Sequence, residues 1–210
     1  MQVLLTNPEV DPLTYSLSVW TEKMLKESKQ KTAQLYRLKR EKANRKEFET
    51  FLKKKSIDLV LLCGHGACDK IAGNNEVILD TDNDNLLNGR IVHALSCQSA
   101  KKLGPDAMQK GAKGYVGYKE NFIAFFDDSK KSTEPLRDET LSLFLEPALT
   151  APKVLLKGGT PEEAVISAKK AYNKSIREAI NSDIQSDADQ FIGWLFWDRD
   201  NLVSCQKESD

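Results

Sequence analysis

The chain has 210 residues, of which 40% are apolar and 30% charged, a composition typical of a soluble globular protein. Basic and acidic residues number 31 each, so no overall field favours nucleic acid or an anionic membrane as a partner. No apolar run approaches the roughly 20 residues of a membrane-spanning helix, and the first residues lack the basic start of a signal peptide. Four cysteines without such a signal favour a cytoplasmic protein over a disulfide-linked one.

Strands and helices alternate along most of the sequence. Apolar, often β-branched runs predict strands at 3–5, 32–38, 57–63, 90–96, 114–118 and 191–197. Helical spacing and capping residues predict helices from Leu13, from Asn44, through 107–109, over 136–149 and from the capping box of Thr160 and Glu163. Residues 69–89 and 119–135 are polar and predict loops, the first with at most a small hairpin at 77–79.

This order of elements predicts a single domain over residues 1–205, followed by a frayed tail at 206–210. Short continuous apolar strands are typical of parallel sheets whose two faces are both buried by helices. The predicted fold is therefore a three-layer α/β/α sandwich with a mostly parallel central sheet.

Two of the predicted strands end in reactive side chains. The strand 57–63 runs into Gly64-His65-Gly66, and the strand 90–96 runs into Cys97. Chemistry in open α/β sheets takes place at the carboxyl ends of such strands. A neighbouring imidazole lowers the pKa of a thiol and returns a proton to a leaving amine, so His65 and Cys97 form a candidate catalytic pair. The amides of Gly66 and Cys97 are candidates for an oxyanion hole.

Structural explanations compete with this hypothesis at each position. Cys63 lies inside an apolar run and is predicted to be core, and His93 lies in mid-strand, where a packing role is expected. The segment 63–68 contains two cysteines and a histidine, but three ligands in a hexapeptide make a poor zinc site. The Asp- and Asn-rich stretch 80–88 lacks the spacing and closing glutamate of an EF-hand loop. No metal or cofactor is expected.

The two blocks over 61–66 and 94–100 resemble, in order and spacing, the catalytic blocks of caspase-like (clan CD) cysteine peptidases. The bacterial CHAT group is the most similar branch, and the segment 111–117, the Thr160 helix and the predicted strand around Trp194 extend the resemblance. It implies the caspase–hemoglobinase fold and a cysteine endopeptidase. His65 would be the general base and acid, Cys97 the nucleophile, and no metal would take part.

The resemblance also bears on specificity. The Gln-Ala-Cys block of caspases is replaced by Leu95-Ser96-Cys97, which makes cleavage after aspartate doubtful and points to an apolar pocket at Leu95 and Ser96. Alternatively, Asp127 or Asp128 would line a pocket for lysine or arginine, as acidic residues do in the gingipain and clostripain relatives. The alternative for Asp127 and Asp128 is that both belong to a solvated loop without a role in substrate binding.

The implied substrate is a dedicated protein or peptide, cut in bacterial defence or programmed cell death. Control would come from a regulatory protein partner, from self-cleavage in a loop, or from ordering of 69–89 and 119–135. The alternatives are a catalytically silent caspase-like adaptor and a flavodoxin-like phosphate binder. The latter needs a glycine-rich loop that the segment 6–9 does not provide.

Overall fold

The computed structural model describes residues 1–28, 33–127, 134–181 and 188–205, the side chains of 188–190 excepted. Its strands are β1 (Gln2–Asn7), β2 (Gln34–Lys39), β3 (Leu59–Cys63), β4 (Gly66–Ala67), β5 (Lys70–Ala72), β6 (Val77–Asp80), β7 (Ile91–Leu95), β8 (Gly114–Tyr118) and β9 (Leu202–Cys205). Its helices are α1 (Pro12–Ser28), α2 (Arg45–Lys54), α3 (Leu103–Gln109), α4 (Glu139–Ala148), α5 (Thr150–Leu156), α6 (Pro161–Asn181) and α7 (Ala188–Asn201).

A six-stranded sheet forms the middle layer, in the order β2-β1-β3-β7-β8-β9. All neighbouring pairs are parallel except β8 and β9, which are antiparallel. The two faces of the sheet bury separate cores, as β1 illustrates: Val3 and Leu5 pack on the side of α1 and α4–α6, and Leu4 packs on the side of α2 and α3. The three-layer α/β sandwich with a mostly parallel sheet is confirmed.

Residues 69–89, predicted to be a long loop, are largely ordered into regular structure. The short strands β4, β5 and β6 form a separate antiparallel sheet, and a 3₁₀ turn follows at Asp84–Leu87. Ile71, Ile78 and Leu79 are fully buried in the core on the side of α2 and α3. The small hairpin expected at 77–79 is present as β6 paired with β5, whereas strands of two or three residues such as β4 and β5 are too short for sequence periodicity to detect.

The predicted last strand at 191–197 is wrong, because these residues lie in α7. A short apolar run does not distinguish a buried strand from a helix by periodicity alone. The place beside β8 is occupied instead by β9, which ends at Cys205. Residues 206–210 lie outside the described residues, and the single domain over 1–205 stays a prediction.

Two predicted helix starts are confirmed by their capping hydrogen bonds. Asn44 accepts from the backbone N–H of Glu47 at 2.9 Å. Thr160 and Glu163 exchange the two bonds of a capping box, at 2.9 and 3.2 Å. Within the described part of the chain, no helix combines the length and apolarity needed to cross a membrane.

Candidate active site

The loops that follow β1, β3 and β7 meet at the carboxyl edge of the central sheet. From β1 the chain moves to β2 on one side, whereas β3, β7 and β8 follow one another on the other side. The strand order therefore reverses between β1 and β3, where an open α/β sheet leaves a crevice outside the strand ends. The loop after β1 carries Asp11, the loop after β3 carries His65, and the loop after β7 carries Cys97.

His65 forms a hydrogen bond with a carboxylate that the sequence analysis did not single out. Its Nε2 lies 2.5 Å from Oδ2 of Asp11, and the two side chains are 52% and 34% exposed. Partial burial alone would raise the pKa of Asp11, but the bonds from Thr14 and His65 outweigh it and lower the pKa of this carboxyl. Asp11 is therefore ionised near neutral pH and fixes the orientation of the imidazole.

The other oxygen of Asp11 belongs to the start of α1. Oδ1 accepts from the backbone N–H of Thr14 at 2.9 Å, and the Thr14 hydroxyl accepts from the N–H of Asp11 at 3.1 Å. This reciprocal arrangement is a helix N-cap in which the carboxylate also faces the positive end of the helix dipole. The sequence signal Asp11-Pro12 predicts only the helix start. The second role follows from the position of β1 beside β3, which the sequence alone does not fix.

Gly66 brings the histidine loop into direct contact with the cysteine loop. A Cβ atom built at this position would lie 2.1 Å from Oγ of Ser96 and 3.0 Å from the carbonyl oxygen of Cys97. Real Cβ contacts are not this short, so only glycine fits without a shift of the neighbouring loop. The loop that carries His65 and the loop that carries Cys97 therefore lie against each other at Gly66.

The amide of Gly66 points away from the small sheet. The N–H of Ala72 donates to the carbonyl of His65 at 2.8 Å, which makes His65 and Ala72 a hydrogen-bonded pair of the antiparallel ladder. Hydrogen-bonded and non-hydrogen-bonded pairs alternate along an antiparallel ladder. The next pair, Gly66 and Ile71, is therefore non-hydrogen-bonded, and its backbone N–H groups take no part in the ladder. The Gly66 N–H is therefore not used by this ladder, and its role as an oxyanion-hole donor stays a prediction.

Cys97 occupies a tight turn between β7 and α3. The next residue, Gln98, has a φ of 54°, in the left-handed region that non-glycine residues seldom adopt. The turn is fastened to the end of β8, since the N–H of Gln98 donates to Glu120 O and that of Ala100 donates to Tyr118 O, both at 3.0 Å. Backbone strain of this kind often accompanies functional sites.

The thiol of Cys97 is half-buried and faces the segment after β8. Its Sγ lies 3.8 Å from the carbonyl oxygen of Phe122, to which it donates. Burial raises the pKa of the thiol; the backbone at Phe122 partly offsets this shift, and the nearby Asp198 adds to it. Among the described residues, no hydrogen bond joins His65 to Cys97. The neutral thiol is therefore the form that this arrangement favours.

Asp198 is a second residue that the sequence analysis missed, because α7 was predicted as a strand. It is fully buried and accepts the N–H of Ile123 at 3.0 Å through Oδ1, while Oδ2 has no partner among the described residues. Burial raises its pKa to about 8. Trp197, the preceding residue of α7, donates from Nε1 to Asn121 O at 2.9 Å. Consecutive residues of α7 thus hold the segment that faces the thiol.

Of the four residues predicted to contact substrate, two are buried, one is half-buried and one lies outside the described residues. Leu95 and Ser96 are 1% and 3% exposed, so neither side chain lines an open surface here. Asp127 is half-buried, and its N–H donates to Asp138 Oδ2 at 2.8 Å. Asp128 lies outside the described residues. A substrate role for these four residues stays a prediction.

Cys63, Cys205 and the second histidine have structural surroundings, whereas Cys68 is half-buried. Cys63 and Cys205 are buried, and burial raises the pKa of each thiol to about 11. His93 is 1% exposed, and burial lowers its pKa to about 3, which agrees with the packing role expected from the sequence. Within the described ranges, no group of three or more potential ligands is arranged to hold a metal ion.

Comparison with known proteins supports the fold. No family model and no curated protein matches the sequence. Among solved structures, the crystal structure of the Arg-specific cysteine proteinase gingipain R (RgpB) superposes with a TM-score of 0.55 at 11% identity, over 97% of this chain. The complex of the pro- and mature domains of Porphyromonas gingivalis RgpB superposes with a TM-score of 0.56 at 8% identity, again over 97%.

The chain spans 45% and 46% of the lengths of these two proteins. At such identities the likeness establishes the fold, which is the α/β/α sandwich of the caspase–hemoglobinase type. The first of these neighbours is described as a cysteine proteinase.

Proposed function

We propose that this chain is a caspase-like cysteine endopeptidase with Cys97 as nucleophile and His65 as general base and acid. The observation that carries the proposal is the contact of Gly66 with Ser96 and Cys97, which sets a histidine loop and a cysteine loop side by side at the carboxyl ends of β3 and β7. The hydrogen bond between His65 and Asp11 adds an orienting carboxylate.

In the proposed reaction, His65 takes the proton of Cys97 and the thiolate attacks the scissile carbonyl carbon. The oxyanion would be held by the amides of Gly66 and Cys97. His65 then gives the proton to the amine as the C–N bond breaks, which leaves a thioester. Water attacks the thioester, His65 accepts a proton from it, and the acid product leaves as the thiol is restored.

The absence of a bond between His65 and Cys97 among the described contacts is compatible with this mechanism. Catalytic hydrogen bonds are often long or misaligned without substrate and shorten in the Michaelis complex. Asp11 would hold the imidazole so that its other nitrogen, Nδ1, is left to exchange a proton with the thiol.

The finer assignments rest on the resemblance of the sequence blocks. They are membership of the CHAT group, a cytoplasmic location, a dedicated protein substrate in bacterial defence or programmed death, and a regulatory protein partner. One structural neighbour, gingipain R, is described as Arg-specific. A basic residue before the scissile bond is therefore the first specificity to assay, with Asp127 and Asp128 as the candidate acids.

A catalytically silent adaptor is the second candidate. It is favoured by the hydrogen bond of Cys97 to Phe122 and the raised pKa of its thiol, which describe an unactivated cysteine.

An acyl-type thiol probe separates the two functions when applied to the wild type, Cys97→Ala and His65→Ala. The endopeptidase predicts labelling of the wild type alone, with Cys63, Cys68 and Cys205 inert. Equal labelling of the wild type and His65→Ala would favour the adaptor.

A further inference from the structure

Two residues beside the candidate site combine an unusual backbone with a shared ion pair. Glu9 and Arg40 have φ values of 53° and 51°, in the left-handed region. This conformation costs a non-glycine residue free energy, and such residues persist only where their surroundings hold them. Nε of Arg40 lies 2.7 Å from Oε2 of Glu9. The ion pair thus links two strained backbone positions, one shortly after the end of β1 and one directly after the end of β2.

The carboxylate of Glu9 is enclosed, unlike those of surface ion pairs. Its side chain is 8% exposed, while that of Arg40 is 66% exposed. The second oxygen of Glu9 accepts from the hydroxyl of Ser18, a buried residue of α1, at 2.5 Å. Partial burial would raise the pKa of Glu9, but the bonds from Ser18 and Arg40 outweigh it and lower this pKa. An ionised Glu9 therefore ties the loop after β1 to both α1 and the end of β2.

That loop is the one that delivers Asp11 to His65. Pro8, the residue before Glu9, is held too: Asn74 donates to its carbonyl at 3.4 Å, and a Cβ atom built on Gly64, the residue before His65, would lie 3.4 Å from Cγ of Pro8. Only Val10 separates Glu9 from Asp11, so a change in the backbone at Glu9 moves the carboxylate of Asp11. A displacement of about 1 Å in a catalytic contact can cost up to roughly 100-fold in rate.

We propose that the ion pair between Glu9 and Arg40 is a positioning device that sets the loop after β1, so that Asp11 meets and orients His65. Glu9 and Arg40 are positioning residues that act through Asp11. The inference rests on the proposed function for its consequence in catalysis, but the geometry that it concerns can be measured without activity.

Arg40→Gly is the decisive variant, because glycine adopts the left-handed region freely and so relieves strain while it removes the ion pair. Asn75→Gly is the matched control: Asn75 has a φ of 57° in an exposed turn, and glycine there relieves the same kind of strain. Relief of backbone strain should offset part of the stability that Arg40→Gly loses with the ion pair, and urea unfolding of both variants shows that each remains folded under the assay conditions. Arg40→Lys keeps a positive charge beside Glu9, so its rate of Cys97 labelling should lie between those of Arg40→Gly and the wild type.

The activity readout is the rate at which the acyl-type probe labels Cys97. We expect Arg40→Gly to label roughly 10-fold more slowly, and Asn75→Gly to match the wild type. In an Asp11→Asn background, Arg40→Gly should cause no further loss, because residues that act through one contact are not additive. Unchanged labelling in Arg40→Gly, or an equal loss in both backgrounds, would overturn the proposal.

A spectroscopic readout keeps the test independent of catalysis. A ring N–H of histidine that donates to a carboxylate at 2.5 Å gives a far-downfield proton resonance, and the chain has only two histidines, His65 and the buried His93. The signal of His65 should vanish in Asp11→Asn, weaken or shift in Arg40→Gly and persist in Asn75→Gly. If it is unchanged in Arg40→Gly, the positioning role is refuted even if the protein proves to be an adaptor. If the wild type does not label but the resonance responds as expected, only the proposed function fails.

Discussion

The thiol of Cys97 donates to the carbonyl oxygen of Phe122, which lies 3.8 Å from Sγ. The residues on either side of Phe122 are bound to α7: Trp197 donates to Asn121 O, and Asp198 accepts from Ile123 N–H. The segment that faces the thiol is therefore held on both sides of its contact with sulfur, so the accessibility of Cys97 depends on α7.

Trp197→Phe removes one of these two bonds while it keeps an aromatic ring at a position that is 40% exposed. Loss of a hydrogen bond worth about 1 kcal/mol would raise the population with the segment released roughly fivefold. Alkylation of Cys97 by iodoacetamide, followed by mass spectrometry, should accelerate by that factor. Trp194→Phe is the matched control, since Trp194 is 39% exposed and contacts the ring of Trp197. An acceleration of equal size in both variants would contradict the role given to the bond.

Gly66→Ala tests the contact between the two loops. The new Cβ would meet Ser96 Oγ and the backbone oxygen of Cys97 at distances that force a shift. We expect the free energy of unfolding to fall by about 1–3 kcal/mol and labelling of Cys97 by the acyl-type probe to be lost. In Gly193→Ala, where a Cβ meets nothing within 4 Å, labelling should be unchanged. Wild-type labelling in Gly66→Ala would show that the Gly66 contact is dispensable.

The sequence predicts interactions between residues that are close along the chain, and it does not predict those that depend on the order of the strands. Helix caps, such as the bond from the N–H of Glu163 to Oγ1 of Thr160, join residues that are close in sequence, and the predicted cap is confirmed. The strand leading into Cys97 was equally clear, because a run of apolar residues bounded by polar ones is a local signal. Asp11 was recognised only as a helix start, because its contact with His65 spans 54 residues and depends on strand order.

Asp198 was missed for a different reason. Its burial depends on α7 being a helix, and the apolar run before it resembles a strand that is buried on both faces. In the helix, Trp194 and Trp197 are left about two-fifths exposed while Leu195 and Asp198 are buried. Hydrophobicity alone would assign the opposite pattern, since it places tryptophans inside and a carboxylate outside.

Asp11→Asn separates the two tasks of Asp11. Asparagine is as good an N-cap as aspartate, so the bond from Thr14 and the free energy of unfolding should be preserved. The charge that orients His65 is lost, and labelling of Cys97 by the acyl-type probe should fall by about 10- to 100-fold. Asp11→Ala, which loses the cap as well, should be less stable by about 1 kcal/mol. If Asp11→Asn labels like the wild type, the carboxylate does not assist His65.

Asp198→Asn tests the buried carboxyl group through the pH dependence of stability. The pKa of Asp198 is raised by burial to about 8, from an ordinary value of 3.8. Between these two values the folded state keeps a proton that the unfolded state releases, so this group makes the protein less stable as pH rises from about 4 to about 8. His93, whose pKa burial lowers to about 3, has the opposite slope below about pH 6.5 in both proteins. The difference between variant and wild type therefore isolates Asp198.

Asparagine keeps an oxygen for the N–H of Ile123 and carries no charge. Urea unfolding should show a stability advantage of Asp198→Asn over the wild type that grows by several kcal/mol, in order of magnitude, from about pH 4 to about pH 8. Removal of the charge also lowers the pKa of Cys97, which Asp198 helps to raise. Alkylation of Cys97 above about pH 8, where Asp198 is ionised, should therefore be faster in the variant. A stability difference that does not change with pH would mean that Asp198 is ionised in the fold and that the charge is compensated by its surroundings.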